Sequence, residues 1–156
     1  MNRTTLLGMF CLAALTACGG GVPAELLGEW TGPATITVEG NDTTMTSNLV
    51  VSDGPSGARI VATGILPSSS STTTSMVCRI DGRPTATGFT IDKGTSCLLE
   101  GPAPRCGMVE QPQVVASLDE VTAVRTQTSL AVTGRGTTQV CNSMVTFQLR
   151  GAYIKR

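Results

Sequence analysis

The sequence predicts a single all-β domain, a small antiparallel up-and-down barrel or, as the alternative arrangement, a β-sandwich. Three observations carry this. Turn formers are dense, with 18 Gly and 8 Pro among 156 residues, while Phe, Trp and Tyr together make up 3%. Short alternations of apolar and polar residues recur along the chain with turn clusters between them, the period of strands with one buried face. No heptad, phosphate-binding glycine loop or dinucleotide fingerprint interrupts that pattern, and the length suits one core rather than two.

The elements follow in order. From Leu26 to Glu39 the even positions Trp30, Ala34, Ile36 and Val38 are apolar, whereas Thr31, Thr35, Thr37 and Glu39 are polar, which predicts a half-buried strand. Gly40-Asn41-Asp42 turns the chain into a second strand around Leu49-Val50-Val51. Asp53-Gly54-Pro55-Ser56-Gly57 then predicts a hairpin turn before Ile60-Val61-Ala62. The Ser/Thr run from Ser68 to Ser75 is too polar to bury and reads as a loop. Met76, Cys78 and Ile80 mark the next strand, Asp81-Gly82-Arg83-Pro84 a turn, and Phe89-Thr90-Ile91 the returning strand before Asp92-Lys93-Gly94. Val114 to Leu118 and Val121 to Val124 read as two strands with mixed periodicity, separated by a solvated Asp119-Glu120 turn. Leu130-Ala131-Val132 leads to Gly134-Arg135-Gly136, and Val145, Phe147 and Leu149 alternate with Thr146, Gln148 and Arg150 in the last strand.

The N-terminus reads as an address. Arg3 precedes an apolar run from Leu6 to Leu15 and then small residues up to Cys18, the layout of a secretory signal peptide. A run of about ten apolar residues is half the length a membrane-spanning helix needs, roughly twenty. Leu15-Thr16-Ala17-Cys18 resembles the lipobox of bacterial lipoproteins. The resemblance implies cleavage after residue 17, acylation of Cys18, and a mature protein held on a membrane by its acyl chains. Gly19-Gly20-Gly21-Val22-Pro23 would form a tether, so that 1–17 is the signal peptide, 18–25 the lipidated tether and 26–156 the domain. Gly19 after the acylated cysteine is similar to Gram-negative lipoproteins sorted to the outer membrane.

Six cysteines become four once Cys11 leaves with the leader and Cys18 carries lipid: Cys78, Cys97, Cys106 and Cys141. In an oxidising compartment such a set predicts two disulfides, and the paired spacings of a zinc site are missing. Four cysteines allow three pairings. The short loop between Cys97 and Cys106 favours bridging those two and leaving Cys78 with Cys141.

Leu27-Gly28-Glu29-Trp30-Thr31-Gly32 resembles the Gly-x-Trp motif on the first strand of lipocalin-like proteins. The resemblance implies a barrel closed at its base by Trp30, with a basic residue of the last strand, here Arg150, stacked over the indole. Arg150 stands on the opposite parity from Phe147 and Leu149, so it reaches the tryptophan only if Gly151 marks a bulge. Tyr153 is a second residue able to cap that end.

Composition narrows the function. Eleven Lys+Arg balance 11 Asp+Glu, with no basic run, so no nucleic-acid partner is expected. The histidine count is zero, which rules out His-assisted serine or cysteine catalysis. Carboxylates occur singly or as the neighbours Asp119-Glu120, and neither Lys93 nor Lys155 belongs to a Ser-x-x-Lys motif. The expectation is therefore a non-enzymatic, membrane-anchored envelope lipoprotein, without metal or cofactor, that binds a small apolar ligand or a protein partner. The alternative is an inhibitor of lysozymes or proteases, or a structural part of an envelope assembly.

Overall fold

The computed structural model describes residues 21–55, 57–66, 74–99, 105–106, 109–110 and 114–156. Among these, eleven strands follow one another: β1 (Gly28–Val38), β2 (Asn41–Gly54), β3 (Gly57–Leu66), β4 (Thr74–Pro84), β5 (Gly88–Ile91), β6 (Thr95–Leu99), β7 (Arg105–Cys106), β8 (Val109–Glu110), β9 (Val114–Arg125), β10 (Ser129–Val140) and β11 (Ser143–Lys155). β7 and β8 form a small separate ladder.

All other strands belong to one antiparallel sheet that closes on itself. β1 through β5 pair in sequence, β5 pairs with β9, β9 with β10, β10 with β11, and β11 returns to β1. Eight staves therefore complete an up-and-down barrel, the predicted architecture, and the sandwich alternative falls because no edge separates two sheets. β6 is not a ninth stave. It pairs with β9 from Thr95↔Leu118 to Leu99↔Val114, on the edge where β5 pairs from Gly88↔Val124 to Ile91↔Val121. β5 and β6 are thus two lengths of one stave, interrupted by the turn at Asp92 to Gly94, where the Thr95 amide returns to the Asp92 carbonyl.

Side-chain parity decides the interior. Trp30, Ala34, Met45, Leu49, Val51, Ile60, Phe89, Leu130, Val132 and Tyr153 are all buried, while the outer face carries threonines and the ion pairs Arg59–Asp81, Arg83–Asp92 and Arg135–Glu120. The outer face also exposes Val50, Leu98, Val115, Val124 and Ile154, but an apolar interior beneath a face bearing ion pairs is the reverse of the polar-lumen arrangement of a lipid-facing barrel.

Two tight hairpins use left-handed backbone, as two-residue turns between twisted strands require. Glu39 and Gly40 have φ of 50° and 80° between β1 and β2, and Cys141 and Asn142 have 49° and 65° between β10 and β11. The first of these turns lies one residue ahead of the expected Gly40-Asn41-Asp42, and β2 begins at Asn41.

Several expected breaks turn out to be continuous strand. β4 begins at Thr74, two residues inside the expected loop, and runs through Asp81-Gly82-Arg83-Pro84. The chain reverses instead at residues 85–87, where the Thr85 amide bonds the Gly88 carbonyl. Gly134-Arg135-Gly136 lies within β10. The two strands expected on either side of Asp119-Glu120 are the single strand β9, and those carboxylates sit in it rather than in a turn. The mixed periodicity has a physical cause: opposite β10 the register steps from Glu120↔Arg135 to Leu118↔Gly136, leaving Asp119 as a bulge. One extra residue switches the inward parity from Ala116 and Leu118 to Val121 and Ala123.

Candidate functional site: the barrel lumen

One end of the barrel is sealed. The chain preceding β1 crosses it, with Val22 and Leu26 buried, the Val22 amide bonding Asp53 Oδ1 at 3.3 Å, and the Leu26 amide closing a turn on the Pro23 carbonyl. Trp30, 2% exposed, donates from Nε1 to the Leu26 carbonyl at 2.9 Å. The indole therefore ties the crossing segment to the first strand. Over its ring stands the Lys155 ammonium, 5.6 Å from the centroid and bonded to the Glu25 carbonyl at 3.0 Å.

The expected role of Arg150 is corrected here. Arg150 is exposed and lies opposite Thr35 and Thr133 on the outer face. No bulge interrupts β11 at Gly151, so the alternation holds and Arg150 points away from the indole. Lys155, directly opposite Trp30 in the register, takes the place that Arg150 was expected to fill. A cation over an indole face is favourable whichever basic residue supplies it.

Between this base and the hairpin turns at residues 39–40 and 141–142 lies a cavity of about 310 Å3, at the small end of the roughly 300–1,000 Å3 typical of ligand sites. Its wall is apolar, formed by Ile36, Met45, Leu49, Ile60, Phe89, Leu118, Val132 and Phe147 among others. Among the described residues lining it none is charged, and the polar ones are Ser47, Thr63, Thr138 and Tyr153. Two of these hydroxyls are engaged with backbone: Thr63 Oγ1 donates to the Asn48 carbonyl at 3.4 Å and Thr138 Oγ1 to the Val115 carbonyl at 3.1 Å.

The remaining two meet each other. Tyr153 Oη donates to Ser47 Oγ at 3.2 Å, a buried contact between β11 and β2 that passes over β1. Glycine makes the span possible. A methyl group at Gly32 would strike the Ala152 carbonyl, and one at Gly151 would strike the Tyr153 ring. Burial pushes the Tyr153 phenol above its ordinary pKa of 10.0, while the hydrogen bond to Ser47 opposes the shift.

The disulfide pairing also differs from expectation. Cys78 on β4 is bridged to Cys97 on β6, with Cα atoms 5.3 Å apart, and both residues line the cavity. The favoured pairing of Cys97 with Cys106 looked at chain proximity, whereas the barrel sets β4 beside β6 across 19 residues. The bridge has a structural logic. β4 pairs with β5 only at Arg83↔Thr90 and Pro84↔Phe89, and among the described residues no ladder joins β4 to β6. The covalent link holds the wall where backbone pairing lapses. Cys141 is disulfide-bonded as well. Cys106 is placed on β7, its side chain lies outside the described residues, and so does Cys18.

Sequence reading reached Trp30 and the four cysteines of the domain but passed over Ser47. The available signal was parity, because Ser47 interrupts the inward series Met45, Leu49, Val51 with a hydroxyl. Lys155 could have been found the same way, on the inward parity of Tyr153. Among the described residues no three Cys, Asp or Glu side chains cluster as a metal site, and no helix is long and apolar enough to cross a membrane. No family model matches the chain, and no curated protein or solved structure matches it.

Proposed function

We propose that this protein is a lipid-anchored, non-enzymatic component of the bacterial cell envelope whose disulfide-bonded barrel holds a small apolar molecule in its lumen. The carrying observation is the apolar cavity of about 310 Å3 above the base sealed by Trp30 and Leu26. Packed barrels of this size fill their interior with side chains, and those that leave space use it for a ligand. Burying apolar surface there contributes about 0.8 kcal/mol per CH2 transferred from water. A binding role also agrees with a histidine-free chain and with a cavity in which, among the described residues, the polar groups not bonded to backbone are the hydroxyls of Ser47 and Tyr153.

The anchoring half of the proposal rests on Leu15-Thr16-Ala17-Cys18, and Gly19 directs it to the outer membrane. Purification of the lipidated protein from membranes, followed by native mass spectrometry and extraction of bound small molecules, tests the whole reading. One apolar molecule per barrel is the expected result, together with palmitate label that Cys18→Ala abolishes. An empty lumen accompanied by a stoichiometric protein partner would overturn the ligand reading in favour of an inhibitor or assembly role. Palmitate retained by Cys18→Ala would overturn the anchor.

A further inference from the structure

The chemistry of the lumen specifies the head group of its occupant. Accepting the lumen as a ligand site, we propose that its ligand is a neutral amphiphile carrying one hydroxyl or carbonyl oxygen, which it seats on the Ser47–Tyr153 pair, and that carboxylate anions are refused.

The first ground is the hydrogen-bonding capacity left over. Tyr153 Oη spends its proton on Ser47 Oγ, so the Ser47 hydroxyl proton has no acceptor among the described residues and the phenol oxygen keeps its lone pairs. The pair therefore offers one donor and one acceptor side by side. A ligand hydroxyl satisfies both, and a carbonyl satisfies the donor. The other two lining hydroxyls, on Thr63 and Thr138, already donate to backbone carbonyls.

The second ground is charge. No Lys or Arg is among the described lining residues, and Lys155 is directed to the Trp30 ring and the Glu25 carbonyl at the base. A carboxylate brought to Ser47 and Tyr153 would lose its hydration with no cation to replace it, a cost that far exceeds one hydrogen bond. The phenol offers no escape by proton exchange, since its burial favours the neutral form.

The third ground is position. Ser47 and Tyr153 are 5% and 2% exposed and adjoin the sealed base, because Ser47 stands two residues from Leu49, the register partner of Trp30, and Tyr153 two residues from Lys155, its partner on the other side. Ile36, Val38 and Val140 line the opposite, hairpin end. The head therefore goes in first and the apolar part trails toward the hairpins.

The test uses the full lipidated protein held in amphipol and captured on beads, with amphipol-only beads as background. Bound tritiated 1-decanol is displaced by unlabelled 1-decanol, decanoate or decane at neutral pH. Decanol is expected to displace at a concentration about tenfold or more below that of decanoate, the ratio set by an uncompensated buried charge. Decanol should also outcompete decane, and Ser47→Ala and Tyr153→Phe should each shrink that advantage while leaving decane unchanged. Tyr153→Phe keeps the ring, so it serves if Ser47→Ala fails to fold. Equal or tighter binding of decanoate, or an undiminished preference for decanol over decane in both variants, would overturn the head-group inference and leave the lumen reading standing. Absence of any saturable decanol binding would overturn both.

Discussion

Removing the Trp30 ring should loosen the barrel at its sealed end, and the structure allows the cost to be apportioned. Trp30 is 2% exposed, stands opposite Leu49 in the register and belongs to one buried cluster with Leu26, Val51 and Leu130. Truncating a buried aromatic to alanine costs about 3–5 kcal/mol from lost transfer and residual cavity. Part of that cost belongs to a single hydrogen bond, because Nε1 donates to the buried Leu26 carbonyl at 2.9 Å. Trp30→Phe retains most of the apolar volume and removes that donor, so it should cost about 1–3 kcal/mol for the carbonyl left unpaired. A domain of this size loses about 4 °C of Tm per kcal/mol, which places Trp30→Ala about 16 °C below the parent and Trp30→Phe between the two. The assay is thermal unfolding followed by far-ultraviolet circular dichroism under oxidising conditions. Circular dichroism is needed because Trp30 is the single tryptophan and both variants lose its emission. A Trp30→Ala melt within about 4 °C of the parent would refute the sealed base. Equal losses for Phe and Ala would refute the division between ring volume and hydrogen bond.

Two further predictions concern the wall of the lumen. The double variant Cys78→Ser, Cys97→Ser should lower unfolding stability by about 3 kcal/mol, the loop-closure value for a 19-residue separation. Guanidinium denaturation measures the loss, and a non-reducing peptide map that bridges Cys78 to Cys141 would show the β4–β6 staple to be wrong. Tyr153 should make the protein sensitive to alkali. Its pKa is raised in the folded state above 10.0, so its contribution is fully present below about pH 10 and is lost as pH rises through the folded value. The stability gap between parent and Tyr153→Phe, measured from about pH 8 to about pH 11, should narrow with rising pH. A gap that widens or stays constant would contradict a buried phenol.

The strands were legible wherever one face is buried without interruption. The alternation around Trp30, Ala34 and Ile36, and around Phe147 and Leu149, reports burial directly, since neighbouring residues of a strand point to opposite faces. Legibility failed at three kinds of place. Asp119 is a bulge in β9, and a single inserted residue inverts parity, so one strand reads as two weak ones. Gly82, Gly134 and Gly136 read as breaks, yet they sit in strands, at positions where a side chain would meet Ile60, Val121 or Phe147 on the neighbouring strand. β6 was missed because Thr95-Ser96-Cys97-Leu98-Leu99 carries no clean alternation, and its place is set by pairing with β9 rather than by its own pattern.

The candidate site divides along the same line. Trp30 and the cysteines were visible as residue types, but their partners were not. Arg150 was chosen for its charge and its position on the last strand, whereas an unbroken β11 turns it outward and brings Lys155 to the indole. The cysteine pairing followed the length of the intervening loop, whereas geometry joins strands that the barrel makes neighbours.

By itself the sequence determined that the domain is all-β, where most of its long strands lie, and that no histidine is present for catalysis. These follow from composition and from a period of two, which are local properties of a chain. Only the tertiary structure decided that the sheet closes, that the lumen keeps an apolar space, and that one donor and one acceptor face it. Closure depends on β11 pairing with β1, and the hydroxyl pair on residues 106 positions apart. Their meeting is a consequence of barrel curvature and two glycines, which no local pattern encodes.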